Sequence, residues 1–514
     1  MSSPAALSRS ISWNYVQAGT SLVVYFLLTP VVVGYLGDVG FGIWVLLNTL
    51  LFYLRFLDFG FHNALVKYVA EYAERRDWPT VNGLIGTTTT LLSIAGAAAL
   101  LLSGVIALLI VPTAFHVPAE RVAELQLATV LLGLDLLIAF PASVFAAVLE
   151  GRQRFDVLSG VSVATTIVCG VATVGGLQLG YGLLALVAIE ISRTVFTAVA
   201  LSTSLRRLLP EIHVSWGKPG GRYFRALRSY STWTSLNELL AEGGAQVEKL
   251  LVPVMLSVSL LTPYSLICSV SAVIFLAIEP ITDTFFPLSS AYHAGGDSPR
   301  LRRLLLRGTK VVVAISLPLA VAVIAYGEEF IRLWIGEEHV SVPAGVAPLV
   351  VISFSVTAFI MTGTTILLAL ARVRQVFWMG ISELVLAVSL VLLAVPRMGL
   401  RGLAGSLMLA NIAVTFLWIV PYVCRLLSQS IPDFLSQALI RPMTAALPMA
   451  LVIVLLEQSL PGESLWWLSL KLAIAGSVYL VSSYFLSLTM EEREICQLSL
   501  KGILQRDRMN RDTA

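Results

Sequence analysis

The chain has 514 residues, 57% hydrophobic and only 13% charged, against about 25% charged for a soluble domain, which excludes a globule covered by polar surface. Its 34 Lys+Arg and 31 Asp+Glu leave a formal charge of +3, so there is no global basic field to attract nucleic acid. Cys169, Cys268, Cys424 and Cys496 lie far apart without CxxC spacing, which argues against a disulfide framework or a zinc site and leaves them as small core residues.

Apolar runs long enough to cross roughly 30 Å of hydrocarbon recur about fourteen times. In chain order they are 13–36, 40–61, 81–111, 125–149, 157–178, 181–205, 230–257, 262–288, 308–332, 346–370, 376–396, 400–424, 441–457 and 465–488. The first follows a short leader with one basic residue, Arg9, exceeds a signal-peptide core in length and precedes no A-x-A site, so it is expected to stay as an anchor.

Lys and Arg flanking a span resist translocation. With a cytoplasmic N-terminus, outside loops hold only Arg121, Arg332, Arg397 and Arg401. Spans hold Arg55, Arg193, Lys249 and Lys471, and the rest of the 34 basic residues fall inside. One helix more or fewer inverts every later loop and destroys this asymmetry. The expected topology therefore has both termini and the 206–229 and 293–310 segments cytoplasmic, with 333–345 outside. Two inside segments read as interfacial helices. Leu65, Tyr68, Val69 and Tyr72 form one stripe of a helix over 61–78, and a second short helix opens at Asp297 or Ser298 with Pro299 in its first turn.

A weak internal repeat follows. LEGRQRFD at 149–156 aligns with LARVRQVF at 370–377, placing Arg152 and Arg154 on Arg372 and Arg374, and at the same offset Gly182-Leu183 meets Gly402-Leu403. An offset of six spans preserves direction through the membrane, so the repeats are parallel. The expected fold is an all-α integral membrane protein with two six-helix lobes around a central cavity plus two C-terminal helices. Its divisions are an N-terminal lobe over 1–206, a linker over 207–229, a second lobe over 230–425, two added helices over 426–490 and a tail over 491–514.

Several segments then resemble a known family. They are YLGDVGFGIWVLLNTLLFYLRFLDFGFHNALVKYVAEY at 35–72, LEGRQRF at 149–155, EKLLVPVMLSVSLLTPYSL at 248–266, FPLSSAYHAGGD at 286–297, LALARVRQ at 368–375 and GLRGLAGS at 399–406. In order and spacing they look like the polysaccharide transporter or O-antigen flippase (Wzx-type) branch of the multidrug/oligosaccharidyl-lipid/polysaccharide exporter superfamily. The resemblance implies two six-helix lobes and movement of lipid-linked oligosaccharide units to the outer leaflet of the bacterial inner membrane. Polysaccharide polymerase and chain-length machinery are the implied partners, beside membrane lipid.

Read from the residues, chemistry lies in charges inside the spans, each costing from about 2.5 kcal/mol upward unless it faces protein or water. Arg55 and Asp58, and likewise Glu190 and Arg193, stand three apart and fit either intrahelical salt bridges or cavity ligands. Glu238, Glu242 and Lys249 share one helical face; Asp135, Glu383 and Lys471 stand singly, Lys471 placed to snorkel outward past Trp466 and Trp467. Arg55, Lys249 and Arg193, in that order, are the expected ligands of a diphosphate headgroup. Asp58, Glu242, Glu248, Glu279 and Asp283 are the expected coupling or cavity acids, and the resemblance itself supports the Glu248-Lys249 pair and Asp58-Phe59-Gly60. The five histidines show no metal spacing, and no GxxxxGK[ST] loop is present, so no metal or nucleotide cofactor is expected. A multidrug exporter usually keeps an acid in span one, where only Asn14 and Gln17 stand; a lipid II flippase is expected to show basic residues there. A polymerase or ligase wants a large outer loop of catalytic groups, while 333–345 offers Glu337, Glu338 and His339 and little else.

Overall fold

The computed structural model describes residues 4–217, 221–336, 343–459, 464–489 and 493; the side chains of Glu238 and Glu242, Glu337 to His339 and the tail from 494 lie outside the described residues. What is described is helical, with no strand. The principal helices are α1 (Pro4–Arg55), α2 (Phe61–Glu74), α3 (Trp78–Val105), α4 (Ala119–Gly151), α5 (Phe155–Gln178), α6 (Gly182–Leu208), α7 (Gly221–Met255), α8 (Leu261–Ser271), α9 (Val273–Ala294), α10 (Ser298–Ile335), α11 (Val346–Ala369), α12 (Val373–Val414), α13 (Arg441–Ser459) and α14 (Leu465–Ser482).

Eleven helices among the described residues are long and apolar enough to cross a membrane. Two of them are kinked rods: α1 breaks at Gly37 (φ 65°) and α12 at Gly399 (φ 57°), left-handed positions that favour glycine. Both breaks fall in the gaps that hydropathy leaves, at 36–40 and 396–400. Counting each rod as two crossings, and adding α7, whose stretch from Glu238 to Lys249 is too polar for a hydropathy test, recovers the number read from the sequence.

Proline accounts for three of the four wide π turns among the described residues. Wide π turns at Ile106–Ile110, Thr415–Ile419 and Ser436–Ile440 each end two residues before a proline, Pro112, Pro421 and Pro442. A proline ring clashes with the carbonyl one turn back and leaves it without an N–H donor; the wider turn relieves both.

The chain divides into two compact units, Met1–Ser265 with Ile335–Ser341, and Leu266–Trp334 with Val342–Ala514. In the first, Gly42 packs on the α7–α8 connection so closely that a Cβ there would lie 2.1 Å from the Val258 carbonyl oxygen, and the Thr262 hydroxyl donates to the Asp38 carbonyl at 2.6 Å. Helix α2 buries Leu65 and Val69 and half-buries Tyr68 and Tyr72, while Lys67, Glu74 and Arg75 are exposed. Gly151 fits beneath it, where a Cβ would lie 2.8 Å from the Val66 carbonyl oxygen, which explains the glycine of LEGRQRF. The segment after α6 lies along α3: Gly217 N–H donates to the Gly86 carbonyl at 2.9 Å, and the Thr90 hydroxyl to the Gly217 carbonyl at 2.8 Å.

In the second unit α13 and α14 pack together and onto α10, with Tyr326, Met449, Leu468 and Tyr479 in their apolar core. The short helix expected near Asp297 is instead the start of α10, 38 residues without a break. Nothing between Arg300 and Leu317 interrupts helical pairing, so the interfacial turn and the crossing become one rod. Cys268 and Cys424 are buried and Cys169 half-buried.

The repeat survives with a changed register. In the α4–α5 turn Gln153 is left-handed (φ 56°), with Arg154 N–H bonded to the Leu149 carbonyl; in the α11–α12 turn Ala371 is left-handed (φ 56°), with Arg372 N–H bonded to the Leu367 carbonyl. Backbone geometry therefore pairs Arg154 with Arg372, two residues away from the pairing that sequence matching suggests. Gly182 and Gly402 also differ. Gly182 has φ 61° with open space around it, whereas Gly402 sits inside α12, where a Cβ would lie 2.7 Å from the Ala394 carbonyl oxygen.

Candidate functional site

Within the first unit three helices carry charge into the apolar layer. Arg55 ends α1, Asp135 lies mid-way along α4, and Glu190 and Arg193 stand one turn apart on α6. The four interact by charge, so sequence positions up to 138 apart meet in one patch. Arg193 Nε donates to Glu190 Oε2 at 2.8 Å, which realises the intrahelical pair. Asp135 is only 2% exposed, takes a hydrogen bond from Thr194, and keeps a buried Oδ1 with no partner among the described residues. Arg55 is exposed, and its guanidinium forms no ion pair within 4 Å among the described residues.

The alternative pair on α1 is not formed. After Arg55 the chain tightens into a 3-10 turn over Phe56–Asp58, then turns left-handed at Phe59 and Gly60 (φ 49° and 69°). Asp58 Oδ1 accepts the Gly60 N–H at 2.8 Å, so its carboxylate shapes the turn into α2 and does not reach back to Arg55.

Glu248 and Lys249 occupy the last turns of α7. The Tyr264 hydroxyl donates to Glu248 Oε2 at 2.6 Å, and the Tyr53 hydroxyl donates to the Gly243 carbonyl at 2.7 Å, fastening α7 to α8 and α1. Lys249 is half-buried and in no ion pair among the described residues. Glu242 lies on α7 with its side chain outside the described ones. Glu279 and Asp283 belong to the second unit, where they are exposed one turn apart on α9. Glu383 is half-buried on α12.

A family profile described as "Polysaccharide biosynthesis protein" matches residues 35–343. The chain belongs to this polysaccharide biosynthesis protein family. Its fold is similar to that of "Lipid II flippase MurJ, inward closed conformation", with a TM-score of 0.69 at 12% identity, covering 92% of this chain and 98% of that one. It is also similar to an inward-facing multidrug resistance MATE family transporter of the MOP superfamily (TM-score 0.60, 14% identity, 84% and 97% covered). A third is a single-residue mutant of the Vibrio cholerae MATE transporter VcmN (0.55, 14%, 83% and 98%). At these identities the likeness carries the fold. No curated protein sequence matches significantly.

For this member of the polysaccharide biosynthesis protein family, the matched stretch contains Arg55, Asp135, Glu190, Arg193, Glu248 and Lys249, whereas Glu457 and Lys471 lie beyond it. Two charged contacts escape a reading along the sequence. His62 Nε2 lies 3.2 Å from Glu150 Oε2, tying α2 to the end of α4. Lys471 does not snorkel: it is 3% exposed, with Nζ 3.3 Å from Glu457 and 4.0 Å from Glu329. A basic residue in an apolar run with an acid across the helix turn, here Glu457 before the outer loop, is the signal that marks such a pair.

Proposed function

We propose that this chain flips polyprenyl-diphosphate-linked oligosaccharide units from the cytoplasmic to the outer leaflet by alternating access, for surface polysaccharide assembly. The observation that carries the reading is Arg55: a guanidinium at the end of a membrane-crossing helix, exposed and in no ion pair among the described residues, beside Asp135 and the Glu190–Arg193 pair. An arginine with donors to spare can clamp a phosphate through two parallel N–H groups. Lys249 supplies a compact second charge, and Arg193, held by Glu190, a third. Membership of the polysaccharide biosynthesis protein family supports the substrate class, and similarity to a lipid II flippase supports a lipid-linked cargo.

In this reading the lobes are 1–206 and 230–425, Glu242, Asp58 and Glu279 are coupling acids, and Glu248 and Asp283 are further acids of the substrate path. The chain sits in the bacterial inner membrane with both termini cytoplasmic, delivering to a polymerase and its chain-length machinery. Complementation of surface polymer in a transporter-null strain tests it. Arg55→Ala and Lys249→Ala should each abolish polymer while protein level and insertion are unchanged, and Arg55→Lys should be intermediate, since the fork geometry is lost. Normal polymer from both alanine variants overturns the assignment. Export of small cationic drugs without any polymer defect favours a multidrug exporter.

A further inference from the structure

A second ionic cluster lies in the second unit, where the last turns of α10 and α13 meet the second turn of α14. Lys471 Nζ is 3.3 Å from Glu457 Oε1, 4.0 Å from Glu329 Oε2 and 5.5 Å from the centroid of the Tyr326 ring. Lys471 and Tyr326 are 3% and 2% exposed, and the floor beneath them is apolar, built from Met449, Ile453, Leu468 and Ala475. Two carboxylates share one ammonium, so with both ionised the cluster holds one uncompensated negative charge against a low-dielectric wall, which is costly.

Two oxygens point to what compensates it. Glu329 Oε1 and Tyr326 Oη are both buried and have no hydrogen-bond partner among the described residues. They stand three residues apart on α10, hence on one face, and Tyr326 interacts by charge with both glutamates. Among the described residues no other charged group relieves the imbalance. Glu328 and Arg332, the other ionisable residues at this end of α10, are exposed; Glu457 is the only one in the last turns of α13; and the Tyr479 hydroxyl of α14 is spent on the Ala314 carbonyl at 2.8 Å.

We propose that Glu329, Glu457 and Tyr326, with Lys471 as fixed counter-charge, bind one small monovalent cation, a proton or a sodium ion. Occupancy brings the cluster to neutrality and locks the C-terminal helix pair onto α10. The site is separate from the Arg55 patch and does not depend on the substrate assigned to that patch.

The test uses the purified full chain in detergent at constant ionic strength, with sodium exchanged for choline at fixed pH, and then pH varied without sodium. The readouts are the thermal midpoint and the emission of tryptophan, since Trp334 stacks on Phe330 one turn from Glu329, with ring centroids 5.6 Å apart. The pH series is read in Glu150→Gln, which lacks the pH response of the His62 contact: saturable stabilisation by sodium identifies sodium, and stabilisation by acid alone in that background identifies a proton. Glu329→Gln, a neutral mimic of the occupied acid, should hold the stabilised midpoint and lose the response, while the exposed Glu120→Gln on α4 keeps it. Tyr326→Phe, which removes the hydroxyl with little change of shape, should weaken apparent cation affinity by about tenfold; it serves if the glutamine variant fails to accumulate. A midpoint and emission of the Glu150→Gln chain independent of both sodium and pH, or responses left unchanged there by adding Glu329→Gln or Tyr326→Phe, overturn the proposal.

Discussion

Asp77 and Asp297 perform the same task at an offset of 220 residues: each caps the helix that follows, Asp77 Oδ1 accepting the Thr80 N–H at 3.2 Å and Asp297 Oδ1 the Arg300 N–H at 3.0 Å. Each follows a left-handed residue, Arg76 (φ 57°) and Gly296 (φ 67°), and each has a proline two positions on. The same turn thus opens the third crossing of each repeat. Replacing either aspartate by alanine should cost about 1 kcal/mol. A lowered thermal midpoint in detergent, restored by asparagine at the same position, is the expected measurement.

Glycine at 42 has a harder constraint. An alanine methyl there would lie 2.1 Å from the Val258 backbone oxygen, and neither helix can yield without moving the other. Gly42→Ala should destabilise by about 1–3 kcal/mol or more. Gly160→Ala, in open space on α5, should be neutral or mildly stabilising. Equal midpoints for the two variants would contradict the packing described.

The His62–Glu150 contact makes stability depend on pH. Burial lowers the proton affinity of the imidazole, but the hydrogen bond to Glu150 and the charges of Glu150 and Asp58 outweigh it and raise the pKa above 6.5. A raised folded-state pKa means that the contribution is complete below about pH 6.5 and is lost as pH rises through the raised value. The midpoint of the wild-type chain should therefore fall on alkalisation just above that pH. Glu150→Gln should flatten this limb; an identical slope in the variant would remove His62 as its source.

Asp135 balances the Arg55 patch. Asp135→Asn keeps the shape and removes one negative charge, so a short-chain prenyl diphosphate should bind about tenfold tighter at low salt and lose that gain at high salt. Arg55→Ala should weaken the same binding. Titration of the purified chain with this probe reads both, and tighter binding that ignores ionic strength would argue against a charge effect.

Crossings were legible because hydrocarbon thickness imposes a length on every apolar run, and even the two kinks announced themselves as glycines in short polar gaps, Gly37 and Gly399. Charges inside spans were legible for the same reason. Their partners were not, because an ion pair leaves a trace along the chain only at helical spacing. Glu190–Arg193 has that spacing and was readable. Asp135 and Arg55 sit on different helices, and Lys471 finds Glu329 at a distance of 142 residues. The register error at Arg154 and Arg372 has another origin. Matching side chains aligned the arginines, whereas the turn is set by whichever residue turns left-handed, and Gln153 and Ala371 share no chemistry that a sequence reader would weigh.

The clasp between Gly217 and Gly86 shortens a leash. By sequence, a free connection of a dozen residues separates α6 from α7. With Gly217 bonded to Gly86 and Thr90, the start of α7 at Gly221 can lie at most roughly 14 Å from that anchor, the reach of four residues fully drawn out. Tyr223, in the first turn of α7, also lies so near Gly83 that a Cβ there would meet its ring at 2.6 Å. The near end of α7 is therefore tied to α3 while its far part is held to α8 and α1 through Glu248 and Gly243, so the helix is moored at both ends and Lys249 is carried on a fixed support.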